Sequence, residues 1–91
     1  MTPLAFDWDE GNTGHIARHD VTTDEAEQVV AGERLALAFQ DRHGELRRRI
    51  VGRTLAGRVL VVVYHLRSGK VRVVTAHTAK ATERRKLEGG A

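Results

Sequence analysis

The sequence predicts an α+β fold, an antiparallel sheet with two helices ahead of it and a short helix after it. Two observations carry this. Between Arg47 and His77, three strand-like runs are separated by short Gly-containing turns, and a fourth run precedes them. Further upstream, Val21 to Ala26 spells a helix start, with Thr22 three residues before Glu25 and Val21 and Ala26 as the apolar pair around the cap. Ninety-one residues fit one domain, taken as residues 1–91 with 88–91 expected to fray.

Taken in order, Leu4 to Trp8 alternates weakly and reads as a short strand, with Leu4, Phe6 and Trp8 on one side and the two aromatics as core anchors. Asp9 is placed to cap a helix over Glu10 to His19, which Gly11 and Gly14 weaken by about 1 kcal/mol each relative to Ala. The second helix starts at the Thr22 cap, carries Ala26, Val29 and Val30 as its apolar stripe and stops at Gly32. Leu35 to Asp41 reads as a strand with Leu35, Leu37 and Phe39 on one face. Glu45–Thr54, Val59–Leu66 and Lys70–His77 follow. Their connections, Arg42-His43-Gly44, Leu55-Ala56-Gly57-Arg58 and Ser68-Gly69, are short enough for a meander. Residues Thr78 to Glu88 turn helical, with Thr78 or Thr82 as the cap.

The net charge of +3 conceals an asymmetry. Residues 1–44 carry three arginines against nine acids, a balance of −6, whereas residues 45–91 carry twelve Lys or Arg against three Glu, a balance of +9. Such a split points to a polyanion on one side and a basic partner on the other, or to halves that neutralise each other across the fold. The absence of cysteine excludes a disulfide framework and a thiolate zinc site, and suits the cytoplasm. The acidic start does not read as a signal peptide, and Val59 to Tyr64 is far short of the ~20 apolar residues of a membrane span.

The arginines are the most suggestive group. Arg47, Arg49, Val51 and Arg53 share one face of their strand, and Leu46, Arg48, Ile50 and Gly52 the other. Burying Leu46 and Ile50 turns Arg47, Arg49 and Arg53 to solvent, either as RNA-binding side chains or as an arginine-decorated soluble surface. Strict alternation in the last strand puts Arg72, Val74 and Ala76 opposite Val71, Val73, Thr75 and His77. Arginine suits bidentate phosphate contact and charge developing at phosphorus. RNA cleavage without a metal needs a group to orient the 2′-hydroxyl, one to protonate the leaving oxygen and cations around the phosphate. His77 is either a solvent-facing strand residue or such a proton carrier, and His65 is read as solvent-facing. His15 and His19, four apart, share a helix face, but no third ligand stands at a matching spacing, so they are read as surface or hinge residues. No metal site and no cofactor are expected.

In order along the chain, Phe6-Asp7-Trp8-Asp9-Glu10, His15-Ile16-Ala17-Arg18-His19 and Val21-Thr22-Thr23-Asp24-Glu25-Ala26 resemble the start of the BrnT family of bacterial toxins. Arg47, Gly52-Arg53-Thr54, Gly57-Arg58, the Val59–Tyr64 strand and the closing Val71–His77 with Thr82-Glu83-Arg84-Arg85 extend the similarity to roughly residues 6–88. The resemblance implies a RelE-like fold with helices packed on one face of the sheet. It also implies a ribonuclease toxin of a type II toxin–antitoxin pair, an mRNA-interferase type of endoribonuclease that inhibits translation. The expected partners are an RNA substrate and a ribbon-helix-helix, DNA-binding antitoxin, with no membrane and no direct DNA contact without the antitoxin. Carried over by position, Arg67, Arg72, Thr75 and His77 are the expected catalytic residues. Arg47, Arg49, Arg53, Arg84 and Arg85 are expected to bind RNA, with Glu83 and Arg84 supporting the site from the last helix. Glu25 and Glu27 are expected to face the antitoxin. Thr75 stands where the family often has Ser, His77 where Arg is common, His65 where Thr is frequent, Leu87 where Tyr is frequent and Asn12 where Lys is frequent. These departures suggest the alternative of a non-catalytic RNA- or protein-binding module.

Overall fold

A computed structural model describes residues 4–89. Its elements run α1 (Glu10–Ala17), α2 (Thr23–Ala31), β1 (Arg34–Arg42), β2 (Glu45–Arg53), β3 (Val59–Arg67), β4 (Lys70–Thr78) and α3 (Ala81–Gly89). The four strands form one antiparallel sheet in the order β1-β2-β3-β4, the meander that the short connections require. Two hairpins turn through residue pairs with φ above zero, His43-Gly44 at 55° and 79° and Ser68-Gly69 at 53° and 76°. That geometry matches the right-handed strand twist. The fraying expected at residues 90 and 91 lies outside the described residues; α3 itself runs through Gly89.

Helices α1 and α2 cover one sheet face. Ile16, Val21, Ala26, Val29 and Val30 pack there on Ile50, Leu60, Val62, Tyr64, Val71, Val73 and Ala76. Each buried Val or Ile contributes about 1.5–3 kcal/mol. The second face is not left wholly to the arginines. There α3 lays Leu87 over Val51, Val59 and Val61, with Ala79 and the half-buried Leu37 completing a smaller cluster. The helices therefore leave uncovered the part of the second face that α3 does not reach and the β1–β2 hairpin end of the first face, where Phe39 and Leu46 are exposed.

Both helix starts are as the sequence indicates. Asp9 caps α1, accepting from the Asn12 amide at 3.2 Å while Asn12 Oδ1 accepts from the Asp9 amide at 2.8 Å. Thr22 and Glu25 form the reciprocal pair at α2. Helix α1 ends at Ala17, two residues earlier than expected, and Asp20 takes a left-handed conformation just beyond it. Gly32 stops α2 in an extended rather than left-handed conformation. The reason for glycine there is space, since a Cβ would lie 2.8 Å from the Gln28 carbonyl oxygen. Neither Thr78 nor Thr82 opens α3; the Glu83 carboxylate instead accepts from the Lys80 amide at 2.8 Å.

Three further expectations change. Leu4 to Trp8 makes no regular strand: Phe6 forms a single parallel bridge to Val71, through Asp7 N–H to Val71 O and Val71 N–H to Ala5 O, each 2.8 Å. Phe6 and Trp8 are half-buried against the main core, and Leu4 is exposed. In β1, a bulge at Leu37 separates the pairings Ala36↔Ile50 and Ala38↔Arg49. One extra residue reverses the alternation. Phe39 therefore leaves the side shared by Leu35 and Leu37, and is 65% exposed. Leu46, expected to be buried, is exposed as well, because α2 packs on the other end of β2. Among the described residues no helix is long and apolar enough to cross a membrane.

Candidate active site

A second bulge shapes the candidate site. In the β3–β4 ladder, Val61 faces His77, Val63 faces Thr75, Tyr64 faces Val73 and His65 faces Arg72, which leaves Val74 unpaired. Val61, Val63 and His65 alternate along β3 and so share one face. Their partners Arg72, Thr75 and His77 therefore share that face too, where strict alternation had placed Arg72 on the opposite side from the other two. The extra residue, Val74, puts the three side chains on one face.

Next to them, a cavity of about 510 Å³ is lined by Arg47, Arg67 and Arg72, together with Glu45, His65 and His15. Two of these guanidinium groups already have carboxylate partners. Arg47 Nε lies 3.1 Å from Glu45 Oε2. Arg72 Nη2 lies 2.9 Å from Asp9 Oδ2, and its Nη1 is 3.6 Å from Asp7 Oδ1, too long for a hydrogen bond. Arg72 Nη1 is thus a buried donor with no hydrogen-bond partner among the described residues. Such a group costs about 1–3 kcal/mol of desolvation that an anion in the cavity would offset. Arg67, exposed at the end of β3, has no carboxylate within 4 Å among the described residues.

His65 is buried rather than solvent-facing, with Nδ1 3.3 Å from Glu45 Oε1 and no hydrogen bond to it among the described residues. The Glu45 carboxylate thus sits between Arg47 and His65. His77 is half-buried and its Nδ1 lies 3.0 Å from the Thr78 carbonyl oxygen. A carbonyl only accepts, so the proton is on Nδ1 and the lone pair of the neutral ring is on Nε2.

The remaining predicted arginines do not line the cavity. Arg49 pairs with Glu83 of α3, and Arg53 with Glu88 at 3.5 Å. Arg84 and Arg85 are exposed on α3. On α2, Glu25 accepts from Thr22 N–H and holds Arg58 Nη1 at 3.1 Å, while Glu27 accepts from Trp8 Nε1 at 2.7 Å. Both of these acids have partners within the fold.

Helix α1 adds residues to the candidate site that alternation along the strands does not indicate. Asn12, buried, donates from Nδ2 to the carbonyls of Asp7 and Val73, both at 3.0 Å, and so fastens the helix to β4. Asp9 does two jobs, capping α1 and holding Arg72. The recognisable signal was Asp9 with Asn12 three residues later, a capping pair. Docked this way, α1 brings His15 Nε2 to 3.1 Å from Thr75 Oγ1. His19 lies edge-on to both His15 and His77, with ring centroids 5.5 and 6.2 Å away. Among the described residues no three His, Cys, Asp or Glu side chains are grouped as a metal ligand set.

Three carboxyls are held below their usual range. For Asp9 the Asn12 amide does most of this, with Arg72 adding to it against the opposing effect of burial. For Glu25 it is the Thr22 amide, again against burial and with help from Arg58. For Glu83, burial pushes upward, but the Lys80 amide and Arg49 together outweigh it, with His77 adding a little. A depressed carboxyl stabilises the fold above its unfolded pKa, and this is lost as pH falls through the folded value. Thermal melts should therefore show the melting temperature declining from about pH 5 downward. Glu83→Gln should melt lower at pH 7 and show a flatter acid decline. An acid limb unchanged by Glu83→Gln would remove the Arg49–Glu83 pair from this account.

A family model described as a ribonuclease toxin, BrnT, of a type II toxin–antitoxin system matches residues 8–83 of the chain. No curated protein matches it.

Proposed function

The chain belongs to the BrnT family of ribonuclease toxins of type II toxin–antitoxin systems, and from that premise we propose that it is a metal-independent endoribonuclease whose site is the bulged β3–β4 face. The reading is carried by one observation, the placing of Arg72, Thr75 and His77 on a single face beside the arginine-lined cavity. Arg67 and Arg72 hold the scissile phosphate, Arg72 through its uncommitted Nη1. His77 takes the proton of the attacking 2′-hydroxyl on Nε2, and Thr75 orients a neighbouring group. Arg47 extends the phosphate track at the cavity wall, with Arg49, Arg53, Arg84 and Arg85 contributing long-range attraction for RNA from around α3. Cleavage of messenger RNA in the cytoplasm would inhibit translation.

The antitoxin is proposed to be a ribbon-helix-helix protein that meets the acidic N-terminal half at Glu25 and Glu27. Expression of the wild-type chain should arrest growth, and co-expression of the antitoxin should restore it. Arg67→Ala should grow normally, because loss of one transition-state cation costs about 10²–10³ in rate. Arrest by Arg67→Ala as severe as that by wild type would refute this use of the cavity. Glu27→Lys is the cleaner probe of the antitoxin contact, since Glu25 also caps α2 and holds Arg58. It should weaken the complex, and unchanged affinity would move the contact elsewhere.

A second reading, RNA binding without cleavage, is favoured by the carboxylates that already occupy Arg47, Arg49, Arg53 and Arg72. It predicts salt-sensitive retention of RNA with no product over hours.

A further inference from the structure

We propose that His15 is a second catalytic residue of this site, the group that gives a proton to the leaving oxygen. The inference rests on the ribonuclease reading above and adds to it a residue from a different element, α1. His15 is the side chain that both lines the arginine cavity and touches the Thr75–His77 side of the face. No other hydrogen bond engages its exposed ring among the described residues. It is held in place from behind, because Asn12, one turn earlier, bonds to β4 and the cap residue Asp9 pairs with Arg72.

The chemistry needs such a group. With Nδ1–H directed at the Thr78 carbonyl, His77 offers one nitrogen, Nε2, and can serve as base but not also as acid in the same step. His15 as imidazolium donates Nε2–H to Thr75 Oγ1, which fixes the ring and leaves its second N–H for substrate. The step then balances. The 2′-oxygen bonds to phosphorus as its proton passes to His77 Nε2. The bond from phosphorus to the 5′-oxygen breaks, and that oxygen takes its proton from His15. The products are a 2′,3′-cyclic phosphate and a 5′-hydroxyl, and the two imidazoles finish with exchanged protonation states.

The test compares two oligoribonucleotides that span a cleavage site first mapped on total RNA with the wild-type chain. One has the ordinary 5′-oxygen at the scissile bond and the other a bridging 5′-sulfur, a leaving group that needs no proton. His15→Ala should cleave the ordinary substrate about 10²-fold or more slowly, the usual scale for losing a general acid, yet cleave the thio substrate within about threefold of wild type. His15→Gln, which can keep the hydrogen bond to Thr75 but cannot pass a proton, should behave like His15→Ala. His77→Ala should be slow on both substrates. An equal defect of the His15 variants on both substrates, or none on either, would overturn the assignment while leaving the ribonuclease reading intact. Failure of the wild-type chain to cleave any RNA would overturn both.

Discussion

His77→Ala is expected to slow RNA cleavage by about 10²–10⁴-fold, the range for losing a general base, and to abolish growth arrest. The ring is half-buried near the end of β4, and among the described residues its one hydrogen bond is to the neighbouring Thr78 carbonyl. Its removal therefore opens no core cavity, and the melting temperature should stay within a few degrees of wild type. His77→Arg is the informative companion, because it exchanges a group that can take a proton for one that cannot. An arginine would restore a permanent cation at the site but not a base at neutral pH. If the base role is correct, His77→Arg remains slow; recovery of wild-type rates by arginine would recast His77 as a phosphate ligand. Cleavage unaffected by His77→Ala would remove it from the mechanism altogether.

Gly52→Ala is expected to have the largest effect on stability. A Cβ at position 52 would lie 2.8 Å from Val29 Cγ1 and 2.9 Å from the Glu33 carbonyl oxygen. It would push α2 and the start of β1 away from β2, at the centre of the main core. Overpacking of this kind costs about 1–3 kcal/mol. For a domain of this size, each 1 kcal/mol lowers the melting temperature by about 4–8 °C. Val29→Ala in the same chain should relieve only part of the clash, since the Glu33 carbonyl is backbone and cannot move aside alone. Gly14→Ala is the control with the opposite sign. Position 14 is inside α1 with nothing within 4 Å of a new Cβ, so the change should stabilise the helix by about 1 kcal/mol. A Gly52→Ala protein that melts at the wild-type temperature would contradict the close approach of α2 to β2.

Much of the architecture was readable because it is local. The Asp9 and Thr22 caps, the Ala26–Val29–Val30 stripe and the His43-Gly44 and Ser68-Gly69 turns each depend on residues within one or two turns of chain. The bulges were not readable in that way. A single unpaired residue at Leu37 or Val74 leaves composition and length of the strand unchanged while reversing every side chain beyond it. Alternation therefore misplaced Phe39 and separated Arg72 from Thr75 and His77. The carboxylate partners of the arginines were equally hidden, since Asp9 and Arg72, or Arg49 and Glu83, meet only through the tertiary fold. For the same reason His65 read as exposed and His15 as peripheral. The arginines and histidines of the proposed site were visible in the sequence, but which of them share a face was decided by one inserted residue and one helix cap.

The most direct test is cleavage of total RNA by the purified chain in excess EDTA, followed by analysis of the new ends. The proposed chemistry predicts cleavage that EDTA does not diminish, with 2′,3′-cyclic phosphate and 5′-hydroxyl ends, and that Arg67→Ala and His77→Ala both lose. Cleavage that EDTA abolishes and Mg²⁺ restores, or products carrying 5′-phosphates, would contradict it.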